Sequence, residues 1–169
     1  MILDYLLKML KYILYFIPIY LIIRFIYIKL SKNKLNIKHE IPLFLLSSFL
    51  IGLFSLTFIS NGTNKVNLIP FRIFYDTYIE VFKNDNISYF IISFIGNIII
   101  FIPLGILIPL LYKISTKKVI LIGFLISLSI EIIQLFLKRG TDIDDLILNT
   151  LGVFIGTLIY KKIGGKNEN

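Results

Sequence analysis

Apolar positions along the chain fall into five long segments separated by short polar stretches, over residues 12–28, 41–60, 88–112, 119–137 and 146–160. A helix needs about 20 mostly apolar residues to cross the hydrocarbon core of a bilayer. The fifth segment reaches that length only if its helix begins near Asp142. Because a backbone in lipid must satisfy its own hydrogen bonds, we predict an all-α, polytopic membrane helix bundle with five transmembrane helices, forming one membrane domain over residues 1–169.

The second loop, residues 61–87, carries a helical pattern of its own. One stripe is polar (Arg72, Asp76, Glu80 and Lys83), and the opposite side is apolar (Ile73, Phe74, Tyr78, Val81 and Phe82). This pattern predicts a short amphipathic helix in the membrane interface. The alternative is a segment that only packs over the bundle.

Composition and charge agree with a membrane protein. Hydrophobic residues make up 57% of the chain and charged residues 17%, and the mean hydropathy is +0.86. The net charge of +8 comes from Lys and Arg in the loops, which fits membrane topology better than a nucleic-acid partner. The basic residues are denser on the side of the C-terminus, so we expect a multi-pass cell-membrane protein with its N-terminus outside and its C-terminus in the cytoplasm.

The catalytic and metal chemistries open to the chain are few. It has no Cys, which excludes disulfides and thiolate-bound metals, and its single His excludes a poly-histidine site within one chain.

Ionisable and amide residues inside the apolar segments are the first candidates for a site, since they are costly in lipid. Arg24 is near the end of the first span, and its long side chain can reach the interface. Glu131, Gln134, Asn97 and Asn149 come from three spans and lie at a similar depth in the outer half of the bilayer. We predict that they share a polar cavity that opens outward; the alternative is hydrogen bonding that only holds the helices together.

An acidic turn precedes the fifth span, with Arg139, Asp142, Asp144 and Asp145 in seven residues. Thr141 and Asp144 have the spacing of a capping box. Three carboxylates so close repel one another unless a cation or Arg139 neutralises their charge. Asp142, Asp144 and Asp145 are therefore candidate ligands of a hard divalent cation such as calcium or magnesium.

Two further features concern helix packing. Gly152 and Gly156 have the spacing that allows close helix approach, within the chain or in a dimer. Pro103 frees the carbonyl of Ile99, and a kink there would widen the space around Asn97.

Three sequence elements are similar to motifs of the VanZ-like family, in the same order and spacing over residues 67–160. They are Asn67-Leu68-Ile69-Pro70-Phe71, then Asn97-x-x-x-Phe101-x-Pro103-x-Gly105, and then Ser127 to Gln134 followed by Arg139-x-x-Asp142-x-Asp144-Asp145-x-x-x-Asn149-x-x-Gly152. The resemblance implies a small bacterial integral membrane protein of the cell envelope, associated with resistance to teicoplanin and related lipoglycopeptides. It adds Asn67 and Phe71 to the candidate ligand-binding residues.

Two functions remain open, and whether the chain is an enzyme is open with them. The first is binding or shielding of a lipid-linked cell-wall precursor, or of an antibiotic's lipid tail, through the polar cavity and the residues at its mouth. The second is an intramembrane hydrolase or transferase that acts on a lipid head group. In that case Glu131 is the acid or base, Asp142 and Asp145 are further catalytic candidates, and the aspartates hold a divalent cation.

Overall fold

A computed structural model describes residues 2–31, 36–59, 66–138 and 140–164. Within them, six helices account for almost all of the structure: α1 (Ile2–Ser31), α2 (Ile37–Ile59), α3 (Arg72–Phe82), α4 (Ile87–Tyr112), α5 (Thr116–Phe136) and α6 (Ile143–Lys162). All except α3 are long and apolar enough to cross a membrane. The predicted all-α fold with five such helices is confirmed, and this is a multi-pass membrane protein.

The chain forms two compact units, Met1–Ser60 and Asn61–Asn169. The first contains α1 and α2, and the second contains α3 to α6. The single membrane domain over residues 1–169 stays a prediction.

In the first unit, an ion pair joins α1 to α2. Arg24 Nε donates a hydrogen bond to Glu40 Oε2 at 2.9 Å, and Arg24 Nη2 contacts Glu40 Oε1. The guanidinium also lies 4.8 Å from the centroid of the Tyr27 ring. A paired arginine near a helix end costs far less free energy in lipid than an isolated one. Arg24 has such a partner within the chain, in addition to a side chain long enough to reach the interface.

In the second unit, α4 and α6 approach closely at glycines. A Cβ on Gly105 would lie 2.8 Å from Gly156 Cα, and a Cβ on Gly152 would lie 3.0 Å from the carbonyl carbon of Ile98. Real side chains do not tolerate such distances. The small-residue spacing on α6 therefore serves packing within the chain.

Helix α4 is irregular near its start. After one α-helical turn, residues Phe90–Gly96 form a π-helical segment, and regular α-helix resumes at Asn97. Pro103 lies within that regular stretch, and the change of winding lies before Asn97. Wide π-helical turns are rare and are often found at functional sites.

Helix α6 begins beside Asp142, which is where a span of about 20 residues was predicted to begin. Its N-cap is Asp142, whose Oδ1 accepts the N–H of Asp144 at 2.9 Å. The predicted capping box with Thr141 as the cap is wrong. Thr141 belongs to an extended segment, and its hydroxyl donates to the backbone carbonyl of Glu131 at 3.3 Å.

Candidate functional site

Two short strands join the second loop to the turn between α5 and α6. Strand β1 (Val66–Asn67) pairs in parallel with β2 (Thr141–Asp142), with Val66 opposite Thr141 and Asn67 opposite Asp142. The side chain of Asn67 also donates to Asp142 Oδ1 at 2.8 Å. The first residue of the N-x-x-P-F element is thereby fixed to the acidic turn.

Asp144 fastens the same loop at a second point. Its carboxylate accepts the backbone N–H of Phe71 at 2.5 Å and that of Ile73 at 2.8 Å, and the residue is only 1% exposed. These N–H groups stand at the start of α3, where a helix has no internal acceptors for them. Phe71 has φ 64° and no side-chain cap. Asp144 therefore caps α3 from another helix.

Glu131 of α5 hydrogen-bonds to the acidic turn. It is 5% exposed, and its Oε2 accepts the backbone N–H of Asp142 at 3.0 Å. Asp142 itself is half-buried, and burial raises the pKa of its carboxyl, while the hydrogen bonds from the Asp144 N–H and the Asn67 side chain act in the opposite direction. We call the set Asn67, Glu131, Asp142 and Asp144, with the N–H groups at the start of α3, the polar clamp.

Two further polar residues of the spans, Asn97 and Asn149, hydrogen-bond to a neighbouring helix. Asn97 Nδ2 donates to Asp145 Oδ1 at 2.5 Å and to the carbonyl of Ser93 at 3.0 Å, which joins α4 to α6 beside the π-helical segment. Asn149 Nδ2 donates to Ser127 Oγ at 2.8 Å, which joins α6 to α5. These contacts are the interhelical hydrogen bonds that the sequence offered as an alternative to a shared cavity.

A cavity of about 740 Å³ lies above the clamp, between α3 and the acidic turn. Its wall from α3 consists of Arg72, Tyr75, Asp76, Ile79 and Glu80. The rest of the wall comes from β1, the start of α4 and the acidic turn, through Val66, Asn67, Tyr89, Gly140, Thr141, Asp142 and Asp145. This volume is in the range of small-molecule sites.

The predicted site residues divide according to this cavity. Those that line it are Asn67, Asp142 and Asp145. Three others do not line the cavity but hydrogen-bond to a residue that does: Asn97, Glu131 and Asp144. Gln134, Asn149 and Phe71 are not among the lining residues, and the Phe71 side chain is exposed. Arg139 lies outside the described residues.

The polar face of α3 forms a wall of this cavity that the sequence does not reveal. The stripe of Arg72, Asp76 and Glu80 predicts an amphipathic helix in the membrane interface, but not what this face lies against. The pairing of β1 with β2 and the capping of α3 by Asp144, which a periodicity argument does not reveal, join α3 to the acidic turn. Arg72 Nε lies 3.4 Å from Asp76 Oδ2.

The three candidate metal ligands have separate partners. Asp144 binds the N–H groups of α3, Asp142 binds Asn67 and caps α6, and Asp145 binds Asn97. Among the described residues, no three acidic or histidine side chains are arranged to hold a metal ion. Each of these carboxylates therefore has a hydrogen-bond partner of its own within the chain.

Comparison with known proteins decides the family. Residues 41–164 match the sequence model of the VanZ/LLP1 family. The chain belongs to the VanZ-like family. Its matched region includes α3 to α6, and with them the whole polar clamp and the cavity of this VanZ-like protein.

Protein VanZ of Enterococcus faecium is 44% identical over 75 residues. The match covers 39% of this chain and 42% of that protein, so it spans less than half of the relative's length. No solved structure matches this VanZ-like chain.

Proposed function

We propose that this VanZ-like protein lowers susceptibility to teicoplanin and related lipoglycopeptides by binding or shielding an amphiphilic ligand at the outer face of the membrane. The ligand classes that fit are a lipid-linked cell-wall precursor and the antibiotic's lipid tail. The association with resistance rests on the family. The observation that carries the binding function is the cavity of about 740 Å³ beside α3.

The two faces of α3 suit a ligand with one polar and one apolar end. Arg72, Asp76 and Glu80 line the cavity. On the other side, Phe74 and Phe82 are 58% and 74% exposed. A helix with aromatic residues on one face and charges on the other lies well at a membrane interface, so a head group in the cavity would leave its acyl chain near lipid.

We infer an external position for the cavity from the charge of the loops. With the N-terminus outside and the C-terminus in the cytoplasm, α3 and the acidic turn face the exterior. The higher density of Lys and Arg in the opposite loops supports this orientation.

The geometry favours binding over hydrolysis or group transfer. Glu131, the proposed acid or base, is buried behind Asp142 and accepts its backbone N–H. A general acid or base must come within hydrogen-bond reach of the reacting group, and the bond to Asp142 directs this carboxylate into the polar clamp. The aspartates proposed to hold a cation bind separate groups of the chain.

The test is to fill the cavity in a teicoplanin-susceptible host that expresses the protein. Ile79 lines the cavity, whereas Tyr78 is exposed on the other side of α3. We expect Ile79→Trp to return the inhibitory concentration of teicoplanin to that of cells without the gene, because the new ring occupies the ligand's space. Tyr78→Trp is the matched control and keeps the protection.

Both variants are first shown to reach the membrane in equal amounts. Full protection by Ile79→Trp at equal abundance would exclude the cavity as the site of action.

A further inference from the structure

We propose that the cavity recognises an ammonium group on its ligand and discriminates against a phosphate or carboxylate at the same position. The inference rests on the proposed function and names the chemistry of the head group that the cavity accepts.

Acidic side chains outnumber basic ones on the wall. Four carboxyl groups line the cavity, those of Asp76, Glu80, Asp142 and Asp145, and the one basic side chain among the described lining residues is Arg72. Arg72 lies within ion-pair distance of Asp76 on the next turn of α3. Arg139, beside Gly140 in the sequence, would still leave the carboxylates in the majority. An anion placed among them would be repelled, and a cation would be attracted.

The carboxyl groups on the wall come from two helices, so the wall presents acceptors from more than one element of the fold. Asp76 and Glu80 are on α3, while Asp142 and Asp145 are at the start of α6. Hydrogen bonds hold each side in place: Glu80 accepts from Asn84 and Asn86 at 3.2 and 3.0 Å, and Asp145 accepts from Asn97 at 2.5 Å. An ammonium group has three donors and no acceptor, which matches such a wall.

Two aromatic rings add to this preference. Tyr75 on α3 and Tyr89 at the start of α4 both line the cavity. The face of an aromatic ring attracts a cation and gives an anion no such stabilisation. Carboxylates combined with tyrosine rings are therefore a wall suited to an amine, whether the amine belongs to a lipid head group or to a water-soluble molecule.

The experiment uses the purified full chain in a neutral detergent at pH 7. Binding is measured by thermophoresis for three probes: dodecylammonium, dodecyl phosphate and ethylammonium. Dodecylammonium should bind more tightly than dodecyl phosphate. Weak binding of ethylammonium would assign the site to lipid-borne amines, and equal binding of ethylammonium would assign it to free amines; both support recognition of the ammonium group.

A matched pair of variants ties the binding to the wall. Glu80→Gln removes one carboxylate of the cavity and keeps an acceptor oxygen for its neighbours. Asp85→Asn makes the same chemical change five residues on, at a residue that does not line the cavity and whose φ of 50° asparagine tolerates. Glu80→Gln should weaken dodecylammonium binding about fivefold, and Asp85→Asn should leave it unchanged.

Tighter binding of dodecyl phosphate, or equal loss of dodecylammonium binding in both variants, would overturn the inference and leave the proposed function standing. Failure of every probe to bind would overturn the proposed function as well.

Discussion

Glu131 shows how a buried carboxylate in a membrane protein serves as a structural acceptor. Its neighbours in sequence are apolar, yet its Oε2 accepts the N–H that begins the acidic turn, and its backbone carbonyl accepts the hydroxyl of Thr141. A buried N–H without an acceptor costs about 1–3 kcal/mol. Placing Glu131 there removes that cost at the point where the chain leaves α5 and turns toward α6.

Substitutions at Glu131 separate this role from acid–base chemistry. Glu131→Gln keeps an oxygen acceptor for Asp142 N–H, whereas Glu131→Ala leaves that N–H unpaired. We expect Glu131→Ala to lower the free energy of unfolding by about 1–3 kcal/mol and Glu131→Gln to lower it much less, as measured by thermal unfolding in detergent. Teicoplanin protection should follow the same order.

If Glu131→Gln abolishes protection as completely as Glu131→Ala while its unfolding temperature stays near that of the parent, the ionised carboxylate itself is needed. The assignment of Glu131 to a supporting role would then be wrong.

Helix α3 depends on a contact from outside itself. It has 11 residues, which is short for a helix that must be stable by its own hydrogen bonds. Its first N–H groups have their acceptor in Asp144 of α6, and Ile73 is the residue it buries. Asp144 therefore holds this wall of the cavity together with the pairing of β1 with β2 and the contact of the Phe74 ring with Phe94.

Asp144→Asn tests this dependence, because an amide offers one acceptor oxygen where the carboxylate offers two. Either Phe71 or Ile73 would lose its partner, and the charge that favours a helix N-terminus would be gone. We expect a loss of about 1–3 kcal/mol in the free energy of unfolding and faster proteolysis within residues 71–83. Asp85→Asn makes the same chemical change and is the control, with its free energy of unfolding and its proteolysis measured in the same way. An unchanged proteolysis pattern for Asp144→Asn would show that α3 is held by other contacts.

The helices were predictable because lipid leaves the chain few options. Length and apolarity are sufficient to locate α1, α2, α4 and α5, and the need for about 20 residues placed the start of α6 near Asp142. The amphipathic stripe located α3 from Arg72. The π-helical segment Phe90–Gly96 could not be foreseen, since its residues are as apolar as those of a regular span.

For the whole molecule, the site was harder to predict than the elements. Depth along each span places Asn97, Glu131, Gln134 and Asn149 at one level of the membrane, but it does not tell which residue each one meets. Asn97 reaches Asp145, Asn149 reaches Ser127, and Glu131 reaches a backbone group. Those choices depend on helix rotation and on the two-residue pairing of β1 with β2, and neither leaves a periodic signal in the sequence.

The central claim is that the loop carrying α3 is fixed to the acidic turn, so that the two together enclose the ligand cavity. Because the chain has no Cys, a disulfide can report on this directly. Val66 and Thr141 are partners across the parallel pair, and neighbouring strands bring Cα atoms within the range that a disulfide spans. Val66→Cys with Thr141→Cys should therefore cross-link in native membranes under mild oxidation.

The matched control joins Val66→Cys to Lys117→Cys, since Lys117 lies at the opposite end of α5, a helix about 30 Å long. We expect near-complete cross-linking of the first pair and none of the second. The extent of cross-linking is measured as the fraction of cysteines that no longer react with a maleimide. Equal, low cross-linking of both pairs would contradict the pairing and, with it, the cavity.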